Sequence, residues 1–352
     1  VLFTRLPTAA EYAPFERHQA IGPAGTSRSQ TPGWMDEHLP AAFAWLKSLQ
    51  ARFCHYKVCS TFDSAPHVGS IGRAIDIGAV LFHQTMVPLV VGAPQLKRYT
   101  FAGHLFAGYQ GETYRIDRHP VMSRHPVTPM HEADLRLHLA RQTTRSVTLA
   151  TDAWPQQGIA LIDVHDAATQ LAAGRQLLGW SGDFVAGASG LEYALMKALL
   201  DQREITGTAV FPPLPAVAQT MVVSGSVSPT TERQIRHATA KGFDAIPVSA
   251  IALAQRDGQA RQQAISAALH CLSEGRSPLI HTALGPGSDE GQQLNAIPGG
   301  RAEIGKGLGA ILRDVVQRAK LRRVIIAGGD SSSHALGALE IHALTTRMPL
   351  LA

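Results

Sequence analysis

The sequence predicts an α/β protein built from two α/β domains with mainly parallel sheets, and three observations carry that prediction. MVPLVVG (86–92) is apolar throughout and β-branched, as strands buried on both faces of a parallel sheet are, and GIALIDV (158–164) repeats that character up to Asp163. FPPLPAVA (211–218) places three prolines within five residues and reads as a linker. Beyond it the strand–helix rhythm restarts, so the expected division is 1–212 and 213–352. The 352 residues, 45% hydrophobic and 17% charged, provide a large core and exclude a disordered chain.

VLF (1–3) reads as a strand, followed by polar turns and the glycyl loop GTSRSQTPG. Leu39, Phe43, Leu46 and Leu49 recur at helical spacing, as do Ile71, Ile75, Gly78 and Phe82. From Tyr99 to Pro129 no clean period survives, and two His-Pro pairs interrupt the segment. Such an excursion is expected to be functional or an arm that builds a homodimer. A helix follows from Asp166, and GASGLEYAL (187–195) is either a tight helix-packing turn or the rim of a site. In the second half TMVVSG, FDAIPVS, PLIHTALGPG and RRVIIAGG read as strands. The segments PTTERQIRHATAKG, GQARQQAISAALHCLSEG and AEIGKGLGAILRDVVQRAK read as the helices between them, and SSSHALGAL as a last helix.

Lys plus Arg exceed Asp plus Glu by 32 to 27, a net +5 spread without any dense basic block. Small anions therefore suit this chain, and nucleic acid is not an expected partner. Three cysteines without a CxxC pair give no disulfide or metal framework and point to a reducing, cytoplasmic setting. No apolar run of about 20 residues is present, so no membrane partner is expected. Val1 is no natural start, and VLFTR reads as a strand already under way, so segments are expected to be missing at each end.

Ligands of open α/β sheets gather beyond the C-terminal ends of the strands. VVSGSVS (222–228), LGPGSD (284–289) and IIAGGDSSS (325–333) are three such ends, alike in combining glycine with serine. Their glycines admit a ligand to the backbone, and free N–H groups at a helix start accept anions. They form either a nucleotide site or ordinary serine-capped turns. None is a Walker A or a GxGxxG loop, which speaks against a dinucleotide-dependent dehydrogenase. Asp289 and Asp330 are either oxygen ligands near Mg²⁺ or loop and cap acids.

In the first half, Arg28 stands among hydroxyls, as a carboxylate fork or as a turn arginine at the surface. HYKVCSTFDSAPHVGSIG (55–72) concentrates polar chemistry: Lys57, Ser60, Thr61, Asp63 and Ser64, with Arg73 just beyond. An aspartate beside hydroxyls suits general-base work on an alcohol, and lysine or arginine suits a carboxylate or a moving phosphoryl group. Cys59 is expected to be a structural cysteine. His119, His125 and His131 lack metal spacing and are expected to be loop and interface groups.

At these residues the chain resembles the four-carbon acid sugar kinase family. The motifs are AGTSRS (24–29), HYKVCSTFDSAPHVGSIGRAID (55–76), RHPVMSRHPVTPMHEADL (118–135), VVSGSVSPTT (222–231) and AGGDSSSHAL (327–336), in order along the whole chain. The resemblance implies an N-terminal substrate-binding domain, a C-terminal nucleotide-binding domain and ATP-dependent phosphorylation of the C4 hydroxyl of a tetronate. KVCSTFDS, in place of a lysine followed by DSTLRG, resembles the members acting on 3-oxo-tetronate rather than on D-threonate or D-erythronate. Arg28, Lys57 and Arg73, with Ser60, Thr61 and Ser64, would bind the acid, and Asp63 or an acid of the family's DDxTGA segment would take the proton. Ser224, Ser226, Gly285, Gly328, Gly329 and Asp330 would line ATP and Mg²⁺. DDxTGA and the family's late glycine pair do not occur in this sequence. A non-catalytic acid-sugar or nucleotide-binding protein is the alternative that would keep the arginines and lose turnover.

Overall fold

A computed structural model of the chain describes residues 1–348 apart from 126, 152, 208, 209, 289 and 295, and the side chains of 291, 292 and 330 are also outside the description. The chain forms two compact units, Gly25–Val210 and a second made of Val1–Ala24 with Phe211–Ala352. Residues 1–24 thus belong with the C-terminal unit, whereas the sequence expectation groups them with the N-terminal one. The physical link is a small sheet in which Leu2–Phe3 pairs antiparallel with Ala343–Leu344 and parallel with Gly22–Pro23.

In the unit Gly25–Val210, a five-stranded parallel sheet has the order Cys54–Lys57, Phe184–Gly187, Met86–Val90, Gly158–Ile162, Val147–Leu149. Met86–Val90 and Gly158–Ile162 are buried at every position, which is why their sequences carry no polar alternation. Helices Pro32–Ser48 and Ile71–Leu81 cover one face. There the fully buried Phe184 meets Phe43 and Phe82, each at 5.3 Å between ring centroids. Val185 points the other way, into a core shared with Leu177 of Ala167–Gly179 and with Leu191 and Ala194 of Ser189–Asp201. Within GASGL, Gly190 packs tightly, since a Cβ there would lie 1.8 Å from the Gly92 carbonyl.

The expected loop-rich excursion contains a three-stranded antiparallel meander, Arg98–Phe101, His104–Tyr109 and Glu112–Arg115. Its turns are two-residue connections, Ala102-Gly103 and Gln110-Gly111, with all four residues at positive φ. Such turns match the twist of a hairpin.

In the other unit a four-stranded parallel sheet has the order Phe243–Pro247, Ser277–His281, Met221–Ser224, Val324–Ala327. Helices Ala250–Ala254, Gly258–Ser273 and Gly300–Ala319 bury one face, with Leu308, Ile311, Leu312 and Val315 inaccessible. Pro229–Ala240 packs Ile235 against Val222 and Leu279 on the other. Among the described residues no helix is long and apolar enough to cross a membrane.

Candidate active site

In the sheet of Gly25–Val210, register places Lys57 and Val90 on either side of Gly187, and Ile162 beside Val90. The strands therefore finish level, and their loops share one edge. The loop after Cys54–Lys57 turns back on itself through a hydrogen bond from the Phe62 amide to the Cys59 carbonyl. Phe62 is fully buried at φ 56°, a conformation that costs a bulky residue on the order of 1 kcal/mol or more and that clusters at functional sites. Its ring is anchored inward, and the flanking Thr61 and Asp63 side chains meet each other: Thr61 Oγ1 donates to Asp63 Oδ1 at 2.5 Å.

Asp63 is the hub. Its other oxygen accepts from Arg28 Nη2 at 2.8 Å and from Thr128 Oγ1 at 2.9 Å, and its side chain is wholly inaccessible while that of Arg28 is 57% exposed. Burial alone would push the carboxyl up; hydrogen bonding by Thr61, the Arg28 charge, the Thr128 hydroxyl and His125 together hold it below its ordinary value. Asp63 is thus a fixed anion with three donors at its two oxygens. In this state it orients Arg28, Thr61 and Thr128, and neither oxygen faces solvent as a general base for a substrate alcohol would.

Arg28 sits on a 3₁₀ turn, Ser27–Ser29, clamped by the far end of the same loop. Gly69, at φ 62°, donates its amide to the Gln30 carbonyl at 2.8 Å, and a Cβ there would lie 2.3 Å from the Arg28 carbonyl. Gly69→Ala is therefore expected to displace Arg28 from Asp63. The Michaelis constant for the acid substrate should rise at least tenfold while that for nucleotide is unchanged, measured by steady-state kinetics.

The remaining predicted residues have other positions. Ser64, buried, places Oγ 2.8 Å from His138 Nε2 and accepts from Gln142 Nε2 at 2.9 Å, so it braces the fold behind the cluster. Arg73 donates to Asp36 at 2.6 Å, joining helix Ile71–Leu81 to helix Pro32–Ser48. Lys57 is exposed at the strand end, and with His55 it draws Glu192 below its ordinary value against the effect of burial. Ser60 is half-buried in the loop.

His138 also sets a pH dependence. Burial first, then the Arg141 charge, lower it to about 4. The unfolded chain binds this proton with an ordinary pKa near 6.5, so stability is complete above about pH 6.5 and falls as the pH drops towards 4. A loss on the order of 3 kcal/mol across that window is expected in denaturant titrations, and His138→Gln should flatten it.

Sequence reasoning missed Thr128 and, although it placed His125 in a loop, missed that its ring positions Thr128. His119-Pro120 and His125-Pro126 repeat one device: the residue after histidine has no N–H, and the next two amides return to the ring. His119 Nδ1 accepts from Val121 and Met122 at 3.2 Å each, and His125 Nδ1 accepts from Val127 at 3.4 Å and Thr128 at 3.0 Å. The second copy delivers the Thr128 hydroxyl to Asp63. A repeated His-Pro-Val with threonine next was the available signal.

In the other unit, Ser224 lies in register between His281 and Ala327, so three strands again end level. Their loops interlock. A Cβ on Gly225 would lie 2.1 Å from Ser331 Oγ, and one on Gly328 3.6 Å from the Ser226 Cβ. Ser226 Oγ accepts from Thr231 Oγ1 at 2.9 Å, and Ser228 caps Pro229–Ala240. Gly328, at φ 112°, precedes helix Gly329–Ala338 without a side-chain cap, which leaves first-turn amides for an anion. Gly285, at φ 83°, brings its loop against Glu232 of helix Pro229–Ala240. Ser224, Ser226, Gly328 and Gly329 thus share one edge, with Gly285 on the neighbouring loop. Asp289 lies outside the described residues, as does the Asp330 side chain. Among the described residues no three His, Cys, Asp or Glu side chains gather as a metal cage. Mg²⁺ bound through nucleotide phosphates and water needs no such cage.

One α/β unit thus ends its sheet at an edge that carries Arg28, Thr61 and Asp63, and the other at an edge lined by glycine and serine. Residues 2–195 match the model of a sugar-binding N-terminal domain, and residues 221–352 match that of a nucleotide-binding C-terminal domain. The chain belongs to the four-carbon acid sugar kinase family, ATP-dependent kinases of acid sugars. It is 41% identical to a 3-oxo-isoapionate kinase of Paraburkholderia graminis, over 100% of this chain and 80% of that protein. It is 28% identical to a 3-oxo-tetronate kinase of Pectobacterium atrosepticum, over 86% of this chain and 74% of that protein. The fold also matches a solved Salmonella typhimurium LT2 protein, with a TM-score of 0.74 and 19% identity over 96% of this chain and 81% of that one. A Haemophilus influenzae structure matches with a TM-score of 0.61 and 23% identity, over 91% and 79%.

Proposed function

We propose that the chain transfers the γ-phosphoryl group of ATP to a primary hydroxyl of a 3-oxo sugar acid, with 3-oxo-isoapionate the first candidate and 3-oxo-tetronate the second. The observation that carries the substrate is the 41% identity along the whole chain to a 3-oxo-isoapionate kinase, against 28% to a 3-oxo-tetronate kinase. The KVCSTFDS segment suits both, since both are 3-oxo acids by name.

The Asp63 network supports the reaction. Phosphoryl transfer is driven chiefly by positioning and charge stabilisation, so a locked carboxylate that aims a half-exposed guanidinium and two hydroxyls serves it better than a mobile base. Arg28 and Thr61 would orient polar groups of the acid, with Lys57 and Ser60 at the same strand end. Ser224, Ser226, Gly285, Gly328 and Gly329 would receive the nucleotide phosphates. Asp330 follows the glycine pair, and Mg²⁺ bound with the nucleotide would neutralise charge on the phosphates.

An ATP-consumption assay with Mg²⁺ tests this reading against 3-oxo-isoapionate, 3-oxo-tetronate, D-erythronate and D- and L-threonate. Turnover confined to the 3-oxo acids is expected, highest for 3-oxo-isoapionate. Preference for threonate or erythronate would reject the substrate assignment, and acid binding without turnover would favour a binding protein.

A further inference from the structure

We infer that Arg98 and His119 form a carboxylate-binding corner in the substrate-binding unit and hold the acid group of the sugar acid; the identity of that acid rests on the function proposed above. Arg98 lies just past the C-terminal end of the central strand Met86–Val90, its backbone paired in both directions with Ala93. Its guanidinium is half-buried, and Nη1 reaches only carbonyls: Leu96 and Lys97 at 3.1 Å and Gly108 at 3.4 Å. Among the described residues no carboxylate pairs with it, and Nε is buried without a hydrogen-bond partner. Neutral carbonyls satisfy N–H groups but leave the positive charge uncancelled.

His119 is 4% exposed and lies beside the rings of Tyr109 and Tyr114. Two backbone amides occupy Nδ1, which fixes the proton on Nε2. That N–H is buried and lacks a partner within hydrogen-bond geometry, although the Gly108 carbonyl is near enough to bear on the ring. The two groups are close enough for the Arg98 charge, after burial, to oppose protonation of His119. Buried donors left unmet are uncommon and costly, and two side by side, one of them charged, match a carboxylate. The corner continues towards the Asp63 network through Cys59, which is near Arg98 and whose sulfur lies 3.0 Å from Thr61 Oγ1. Arg28 already has Asp63 as counter-ion, whereas among the described residues Arg98 has no such acid, so the substrate's charge falls to Arg98.

His119→Asn places an amide oxygen where Nδ1 accepts the two amides and deletes the Nε2 donor, so the turn is kept. Arg98→Gln removes the charge, and Arg98→Lys restores charge without the planar fork. Two readouts are compared with wild type: kinetics on the 3-oxo acids, and calorimetric binding of malonate as a plain carboxylate probe without nucleotide. His119→Asn and Arg98→Gln should raise the Michaelis constant for the acid at least tenfold, leave that for ATP unchanged and weaken malonate equally, with Arg98→Lys between. If Arg98→Gln fails to fold, His119→Asn decides. Wild-type turnover with unchanged constants in the variants would overturn the corner and leave the kinase reading standing. Malonate binding lost in the variants, with no turnover of any 3-oxo acid by wild type, would keep the corner and reject the substrate assignment. Neither binding nor turnover by wild type would overturn both.

Discussion

Asp63→Asn is expected to lower kcat/KM for the sugar acid by about a hundredfold or more, because it reverses one side of a saturated network. All three partners of Asp63 are donors: the Thr61 and Thr128 hydroxyls and the Arg28 guanidinium. An amide nitrogen in place of either oxygen confronts a donor with a donor and leaves Arg28 without its counter-ion. The loss should appear mainly in the Michaelis constant for the acid, with that for ATP within twofold of wild type. Because the network holds Asp63 below its ordinary range, it stays ionised from about pH 5 upward, and the wild-type rate should show no acidic limb from it there. Asp63→Ala should also destabilise the unit by about 2 kcal/mol, a buried-ion-pair cost reduced by the exposure of Arg28.

The complementary effect is expected from Gly225→Ala. The added methyl would meet Ser331 Oγ at 2.1 Å and Leu308 Cδ1 at 3.3 Å, so the loop after Met221–Ser224 must withdraw from the start of Gly329–Ala338. Both loops belong to the edge proposed to hold phosphate. The Michaelis constant for ATP should rise at least tenfold, and binding of the acid measured without nucleotide should be unchanged. A matching loss of acid binding would mean that the substitution disrupts folding rather than the nucleotide edge.

The buried strands were legible because a strand covered on both faces carries a single instruction, as MVPLV and GIALI do. The meander was not. Its strands are short and one-sided, and Ala102-Gly103 and Gln110-Gly111 are weaker hairpin signals than Asn-Gly. The pairing of Leu2–Phe3 with Ala343–Leu344 joins opposite ends of the chain and leaves no local trace. Within the candidate site, Arg28, Thr61 and Asp63 come together from the motifs read in the sequence. Ser64 and Arg73, equally polar and as close in sequence, turn to His138 and Asp36 because helix placement decides their neighbours. Thr128, His125, Arg98 and His119 were hidden because polar residues in an aperiodic segment look the same whether they face solvent or a ligand.

The most direct test follows the phosphorus. Wild-type enzyme, Mg·ATP and 3-oxo-isoapionate, or 3-oxo-tetronate, are incubated and observed by ³¹P NMR. One equivalent of ADP should form with one phosphomonoester whose signal is split by a CH₂ group, placing phosphate on a primary alcohol of the 3-oxo acid. ATP converted only to ADP and inorganic phosphate, or no ATP consumed with either acid, would contradict a 3-oxo sugar acid kinase.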